Sequence, residues 1–257
     1  MSTTQKDIST ALQQLLLRMG DSTLVLGHRV SEWCGHAPVL EEDIAMANVA
    51  LDFIGQTQFW LELAGELGGE GKTADQLAYL RDSAQFHNLL LAEQPNGDYA
   101  HTVARQFFFD AWHFLQLQAL TRSTEPRIVE IAAKAIKEVD YHLERSSDLM
   151  IRLGDGTPES HDRMQVAVDD LWSYTGEMFM GDAHDAVLAQ AGLAPQPESL
   201  RDTWLTCVQE VMEQATLKVP ASTYMHKGGK QGRHTEYLGH LLATMQFLQR
   251  AYPGCAW

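Results

Sequence analysis

Apolar residues recur at three- and four-residue intervals along almost the whole chain, and no stretch between turn signals sustains the two-residue alternation of a half-buried strand. A helix of 3.6 residues per turn places such positions on one face, so this chain buries its core as packed helices. The fold class this dictates is all-α. Two stripes set the register of the long segments. Met46, Val49, Phe53, Gln56 and Trp60 step by three and four residues, and so do Ile128, Ala132, Ala135, Val139 and His142.

Helix punctuation divides the chain. A first helical region runs from about Ile8 to Trp33, with an interruption or bend expected near Gly20-Asp21, and stops at Gly35-His36-Ala37-Pro38. A second begins near Leu40, with Glu41, Glu42 and Asp43 at the positive end of its dipole, and ends at Gly68-Gly69. A third starts after Thr73 and is carried by Asn88 to Leu91 as far as the turn Pro95-Asn96-Gly97. Further helices are expected at about Asp98–Leu120, Pro126–Leu153 and His161–Met180, then at 183–191 and 199–216. An irregular segment from Val219 to Arg233 precedes a last helix near 234–250. Long helices joined by short turns make an antiparallel bundle, for which the ferritin-like architecture is one precedent, with the C-terminal helices as additions. With no low-complexity linker and no repeat, the expectation is one domain over 1–257.

Charge and cysteine content narrow the function classes. The 19 Lys and Arg against 34 Asp and Glu give a net charge of -15, which opposes general binding to nucleic acid or to an anionic membrane. No apolar run approaches the roughly 20 residues of a membrane span, and the N-terminal residues lack the pattern of an export signal. Cys34, Cys207 and Cys255 are odd in number and widely spaced, so they read as reduced thiols of a cytoplasmic protein. Cys34, in Trp33-Cys34-Gly35-His36, is expected as a small buried residue at a helix end. Gly228 to Gly232 lacks the Ser or Thr of a phosphate-binding loop, and His234-Thr235-Glu236 lacks the paired cysteines of a zinc deaminase.

A di-iron site in a helical bundle needs a Glu from each of two helices and a Glu-x-x-His from each of two others. Phe53 and Gln56 stand at the spacing of such a pair, and so do Val139 and His142. Phenylalanine and valine carry no donor atom. A residual set remains in Asp110 and His113, at i and i+3, with Glu138 and His142, at i and i+4. Those four suit at most a mononuclear site, and a hydrogen-bonded interior group is the better expectation. Lys227, Lys230 and Arg233 form a basic cluster in an acidic chain. It reads as a solvated loop or as a contact for an anionic group, either a partner's acidic surface or the phosphates of a CoA ligand.

Several ordered blocks carry a family resemblance. They are Glu32 to Pro38, Ala47-Asn48 with Leu51-Asp52 and Gly55-Gln56, Asn88 to Leu91 with Glu93 to Gly97, and Ala104-Arg105-Gln106. Asp110 to His113, Ala133 to Glu138 with Tyr141-His142, Gly228 to Lys230, His234 to Glu236 and Met245-Gln246 complete the series. In these the chain resembles the non-catalytic, ferritin-like C subunits of bacterial 1,2-phenylacetyl-CoA epoxidase, the phenylacetate-CoA oxygenase of aerobic phenylacetate catabolism. The resemblance implies a multicomponent oxygenase that epoxidises the aromatic ring of phenylacetyl-CoA with O2 and electrons from NADPH. It places iron in a homologous catalytic subunit, flavin and iron-sulfur groups in a reductase, and no cofactor in this chain. The chain is then a structural subunit that pairs with the di-iron subunit. The rival readings are an independent metal-dependent oxidase or oxygenase using Asp110, His113, Glu138 and His142, and an acyl-CoA binding module. Among Phe107, Phe108, Phe109 and Trp112, too many rings for one inward stripe, one is expected either outward as an interface anchor or packed within the chain.

Overall fold

The computed structural model describes residues 4–69 and 71–255. In chain order the α-helices among them are α1 (Gln5–Ser31), α2 (Leu40–Leu67), α3 (Ala74–Tyr79), α4 (Leu90–Glu93), α5 (Tyr99–Leu120) and α6 (Pro126–Gly154). There follow α7 (Pro158–Trp172), α8 (Ala183–Gln190), α9 (Arg201–Gln214), α10 (Glu236–Met245) and α11 (Phe247–Ala251). No strand occurs among the described residues, and the fold is the all-α, ferritin-like class of long packed helices. None of these helices is long and apolar enough to cross a membrane. The helices fall into two compact units: residues 1–95 with 227–257, and residues 96–226.

The first unit is built on the hairpin of α1 and α2. Thr4 caps α1 by accepting from the Asp7 N–H, while the Asp7 carboxylate accepts from Thr4 in return. Gly20 faces Leu61, Thr23 bonds Thr57 through their hydroxyls at 2.8 Å, and Gly27 faces Phe53. The order of these pairs runs oppositely along the two helices, which are therefore antiparallel. The expected interruption near Gly20-Asp21 does not occur, since α1 is one helix throughout. A Cβ at Gly20 would lie 2.6 Å from Leu61 Cδ2, so the glycine serves close helix approach rather than a break.

The long third helix expected up to Pro95 is also not formed. Helix α3 stops at Tyr79, and residues 80–89 hold one 3-10 turn and extended chain before α4. Long-range acceptors outcompete the helix for this backbone. Asp21 accepts from the His87 N–H at 2.8 Å, and Ser22 Oγ accepts from the Leu89 N–H at 3.1 Å.

The second unit is built on α5 and α6, with α7 and α9 packed against them. Pro126 occupies the first turn of α6, where its missing N–H costs no helical bond. Ile128, Ala132, Ala135, Val139 and His142 all lie on the buried face of α6. The rings of α5 do not split between inside and outside, because Phe107, Phe108, Phe109 and Trp112 are all buried. Phe108 lies 5.8 Å from Trp172 and 6.0 Å from Trp204, ring centre to ring centre, and its carbonyl accepts from Trp204 Nε1 at 3.1 Å. Among the described residues the three cysteines are free thiols, and Cys34 is exposed rather than buried because it lies past the last turn of α1.

Candidate functional site

The positions that sequence spacing singles out, Phe53, Gln56 and Val139, are interior ones. In the first unit Phe53 and Gln56 lie on the buried face of α2 with Met46, Val49 and Trp60. In the second, Val139 is fully enclosed on α6. The donor set does not fit a di-iron centre, since neither Phe53 nor Val139 has an atom that binds metal.

Of the residual set, Asp110, His113 and His142 are buried in the second unit, whereas Glu138 is only half-buried. Among the described residues no group of three or more His, Cys, Asp or Glu side chains is gathered in a way that would hold a metal ion. Asp110 accepts from Gln106 Nε2 at 2.7 Å through one carboxylate oxygen. Burial dominates its titration. It pushes the carboxyl up to about 6, against the opposing influence of His142, Ser146, Gln106 and Arg145. Burial, with His142 beside it, pulls His113 down to about 3, so its imidazole is neutral at pH 7.

A carboxyl whose folded pKa is raised stabilises the fold only below its unfolded value, and that contribution is lost as pH rises through the folded pKa. Asp110→Asn keeps an acceptor for Gln106 and removes the buried charge. The variant is expected to match the wild type below about pH 4 and to exceed it by about 1–3 kcal/mol at pH 8. Urea unfolding at the two pH values measures this, and a variant less stable than wild type at pH 8 refutes it.

The basic cluster is divided by the fold. Lys227 and Arg233 are exposed, but Lys230 is buried and its carbonyl accepts from His87 Nδ1 at 3.2 Å. Two charges, not three, face outward.

Sequence reasoning missed the larger polar constellation, which lies in the first unit. Glu93, fully buried on α4, receives three hydrogen bonds on its carboxylate: from Asn88 Nδ2 at 2.9 Å, His234 Nδ1 at 2.8 Å and the Thr235 N–H at 2.6 Å. The other ring nitrogen of His234 meets the Phe86 carbonyl at 2.9 Å. A carbonyl only accepts, so Nε2 donates to Phe86, and the Glu93 hydrogen bond and charge help raise the His234 pKa above the ordinary imidazole value. Arg29 donates from Nε and Nη2 to the Glu93 carbonyl at 3.2 and 2.9 Å. Asp21 pairs with the Arg81 guanidinium, which also stacks 4.3 Å over the Phe86 ring. Gln246 Nε2 donates to the Ala78 and Arg81 carbonyls at 2.9 and 3.0 Å. The signals available in sequence were the block around Glu93 and the string His234-Thr235-Glu236, neither of which names its partner.

A model of the family described as phenylacetic acid catabolic protein matches residues 1–257. The chain belongs to this family. It is also 50% identical over 241 residues to the C subunit of 1,2-phenylacetyl-CoA epoxidase from Escherichia coli, covering 94% of this chain and 97% of that one. Within the family, the blocks at 88–97, 228–230 and 234–236 acquire a physical meaning from the structure. Glu93 joins the first block to the third through Asn88, His234 and the Thr235 N–H, and His87, just before the first block, bonds the Lys230 carbonyl of the second. The rival reading of an independent oxidase using Asp110, His113, Glu138 and His142 is not favoured, because the relative is named as one subunit of a larger enzyme.

Proposed function

We propose that this chain is the structural, non-catalytic subunit of a cytoplasmic phenylacetyl-CoA epoxidase, pairing with and supporting a homologous di-iron subunit. The observation that carries the proposal is the 50% identity, over nearly the full length of both chains, to a protein named as the C subunit of that epoxidase. Donor chemistry supports it. A bundle that gives up a metal must replace buried carboxylates or leave charge uncompensated, at a cost of several kcal/mol per ion. Phe53 and Val139 supply apolar volume at those interior positions. Iron belongs to the catalytic partner, and NADPH, flavin and iron-sulfur groups belong to the reductase. What this chain contributes is shape: a rigid helical surface against which a less self-sufficient partner adopts its active form.

Co-expression with the homologous di-iron subunit tests the proposal. The two are expected to co-purify, with iron found in the partner alone and ring epoxidation of phenylacetyl-CoA requiring both chains plus the reductase. Stoichiometric iron in this chain, lost on His142→Ala, would overturn the reading.

A further inference from the structure

The second unit carries a pocket of about 330 Å3 whose walls are mainly aromatic and thioether side chains. Trp172 closes α7, Phe179 ends the 3-10 turn Gly176–Phe179 that follows, and Trp204 and Leu205 lie near the start of α9. Trp204 anchors the set. Its ring centre lies 5.9 Å from that of Trp172 and 5.2 Å from that of Phe179. Its indole N–H is already given to the Phe108 carbonyl at 3.1 Å, so this ring offers the pocket a face and no donor. The three rings are buried, whereas Met180, Leu205 and Met225 are half-buried and form the rim. Met225 comes from a loop, and it packs here because Gly176 has no side chain: a Cβ at Gly176 would fall 2.4 Å from Met225 Cγ. The next residue pins the loop. The His226 N–H donates to the Ser173 carbonyl at 2.8 Å, and the His226 ring stacks on Tyr174 with centres 4.3 Å apart. The walls are therefore preformed, with flexible thioethers at the rim that conform to a flat apolar guest.

Two charged side chains border the pocket, and they are not equivalent. Glu198 already accepts from the Gly181 N–H at 2.8 Å. The Arg201 guanidinium has no hydrogen bond or ion pair among the described residues, and Arg201 opens α9, at the positive end of its dipole. What completes such a site is a ring for the walls and an anion for Arg201. The volume is at the low end of the range for small-molecule sites, which suits one or two rings. We propose that this pocket binds a small aromatic carboxylate, its ring against Trp172, Phe179 and Trp204 and its carboxylate on Arg201. A forked guanidinium matches two carboxylate oxygens, and aromatic walls take a flat ring better than a branched aliphatic chain. The site lies wholly within residues 96–226 and does not depend on pairing with a di-iron subunit.

Phenylacetate titrated into the full chain, with isotope-labelled methionine methyl groups observed by NMR, tests the assignment. The Met180 and Met225 methyl signals are expected to shift together, with a Kd of about 0.01–1 mM for so small a ligand. Arg201→Gln changes an exposed side chain and leaves the aromatic walls alone. It should weaken phenylacetate about 10-fold or more while leaving the neutral alcohol phenylethanol within about twofold of its wild-type Kd. Acetate, which has the anion without the ring, should shift neither methyl signal, and phenethylamine, which reverses the charge, should bind more weakly than phenylacetate. No shift at about 10 mM phenylacetate, or shifts confined to other methionines, overturns the site. Equal weakening of acid and alcohol in Arg201→Gln removes the guanidinium from the recognition and overturns the proposal. A preference for the amine does the same, in favour of Glu198 as the recognising charge.

Discussion

Glu93→Ala is expected to remove about 3–5 kcal/mol of unfolding free energy, the range seen when one member of a buried charged pair is deleted. The carboxylate is the shared acceptor for Asn88, His234 and the Thr235 N–H, and all three donors would be stranded in an enclosed site. The effect is not local to α4. His234 belongs to a segment 141 residues away in sequence, and its second ring nitrogen holds the Phe86 carbonyl. Losing the acceptor therefore loosens the attachment of the C-terminal segment to residues 86–93. The pair also gives a signed pH dependence. Burial pulls the His234 pKa down, but the Glu93 hydrogen bond and charge, the Phe86 carbonyl and Asp21 outweigh it and raise the pKa above the ordinary imidazole value. A raised pKa means a contribution complete below about pH 6.5 that fades as pH climbs through the folded value. The stability gap between wild type and His234→Asn should accordingly be widest near pH 6 and narrow toward pH 9. Urea unfolding of the wild type and the Glu93 and His234 variants measures both effects. A Glu93→Ala loss below about 1 kcal/mol, or a gap that widens with pH, sinks this account.

The contrast between what local pattern reveals and what it hides is physical. Seam residues such as Met46, Val49 and Trp60, or Ile128 and Ala132, announce their burial because a helical face is defined by spacing alone. Local backbone preference likewise explains why α2 and α6 end at their glycine signals. Residues 80–89 are different. Asn88 to Leu91 has helical propensity, but the His87 and Leu89 N–H groups go to Asp21 and Ser22, more than sixty residues earlier, and no local signal records that competition. Lys230 looks solvated beside Lys227 and Arg233 until the fold encloses it. Donor chemistry is different again, being a property of the residue type: Phe53 or Val139 lacks a metal-binding atom in any fold.

Phe53→Glu, which puts back the carboxylate that a metal-binding bundle would have at this spacing, is expected to destabilise the chain by at least about 3–5 kcal/mol and not to confer stoichiometric iron. Two effects add. The variant forfeits a fully buried ring, whose removal alone costs about 3–5 kcal/mol in typical cores, and it encloses a carboxyl where the ring was. Neighbouring polar atoms offer little relief. Thr57, one turn along α2, already donates to the Phe53 carbonyl at 2.9 Å and shares its hydroxyl with Thr23. Asp110 shows in the same protein what a retained interior acid costs, since burial holds its carboxyl up to about 6 even with Gln106 bonded to it. One restored carboxylate does not supply the four that a di-iron centre requires, so metal cannot offset the penalty. The loss should be larger at pH 8 than at pH 5, because an acid raised by burial is least tolerated when it must ionise. Phe53→Leu, which stays apolar and loses only part of the ring's volume, should cost clearly less than Phe53→Glu and show no dependence on pH. Were Phe53→Glu to unfold within about 1 kcal/mol of the wild type, apolar replacement would not be what allows this bundle to stand without a metal, and the physical case for a structural subunit would rest on sequence identity alone.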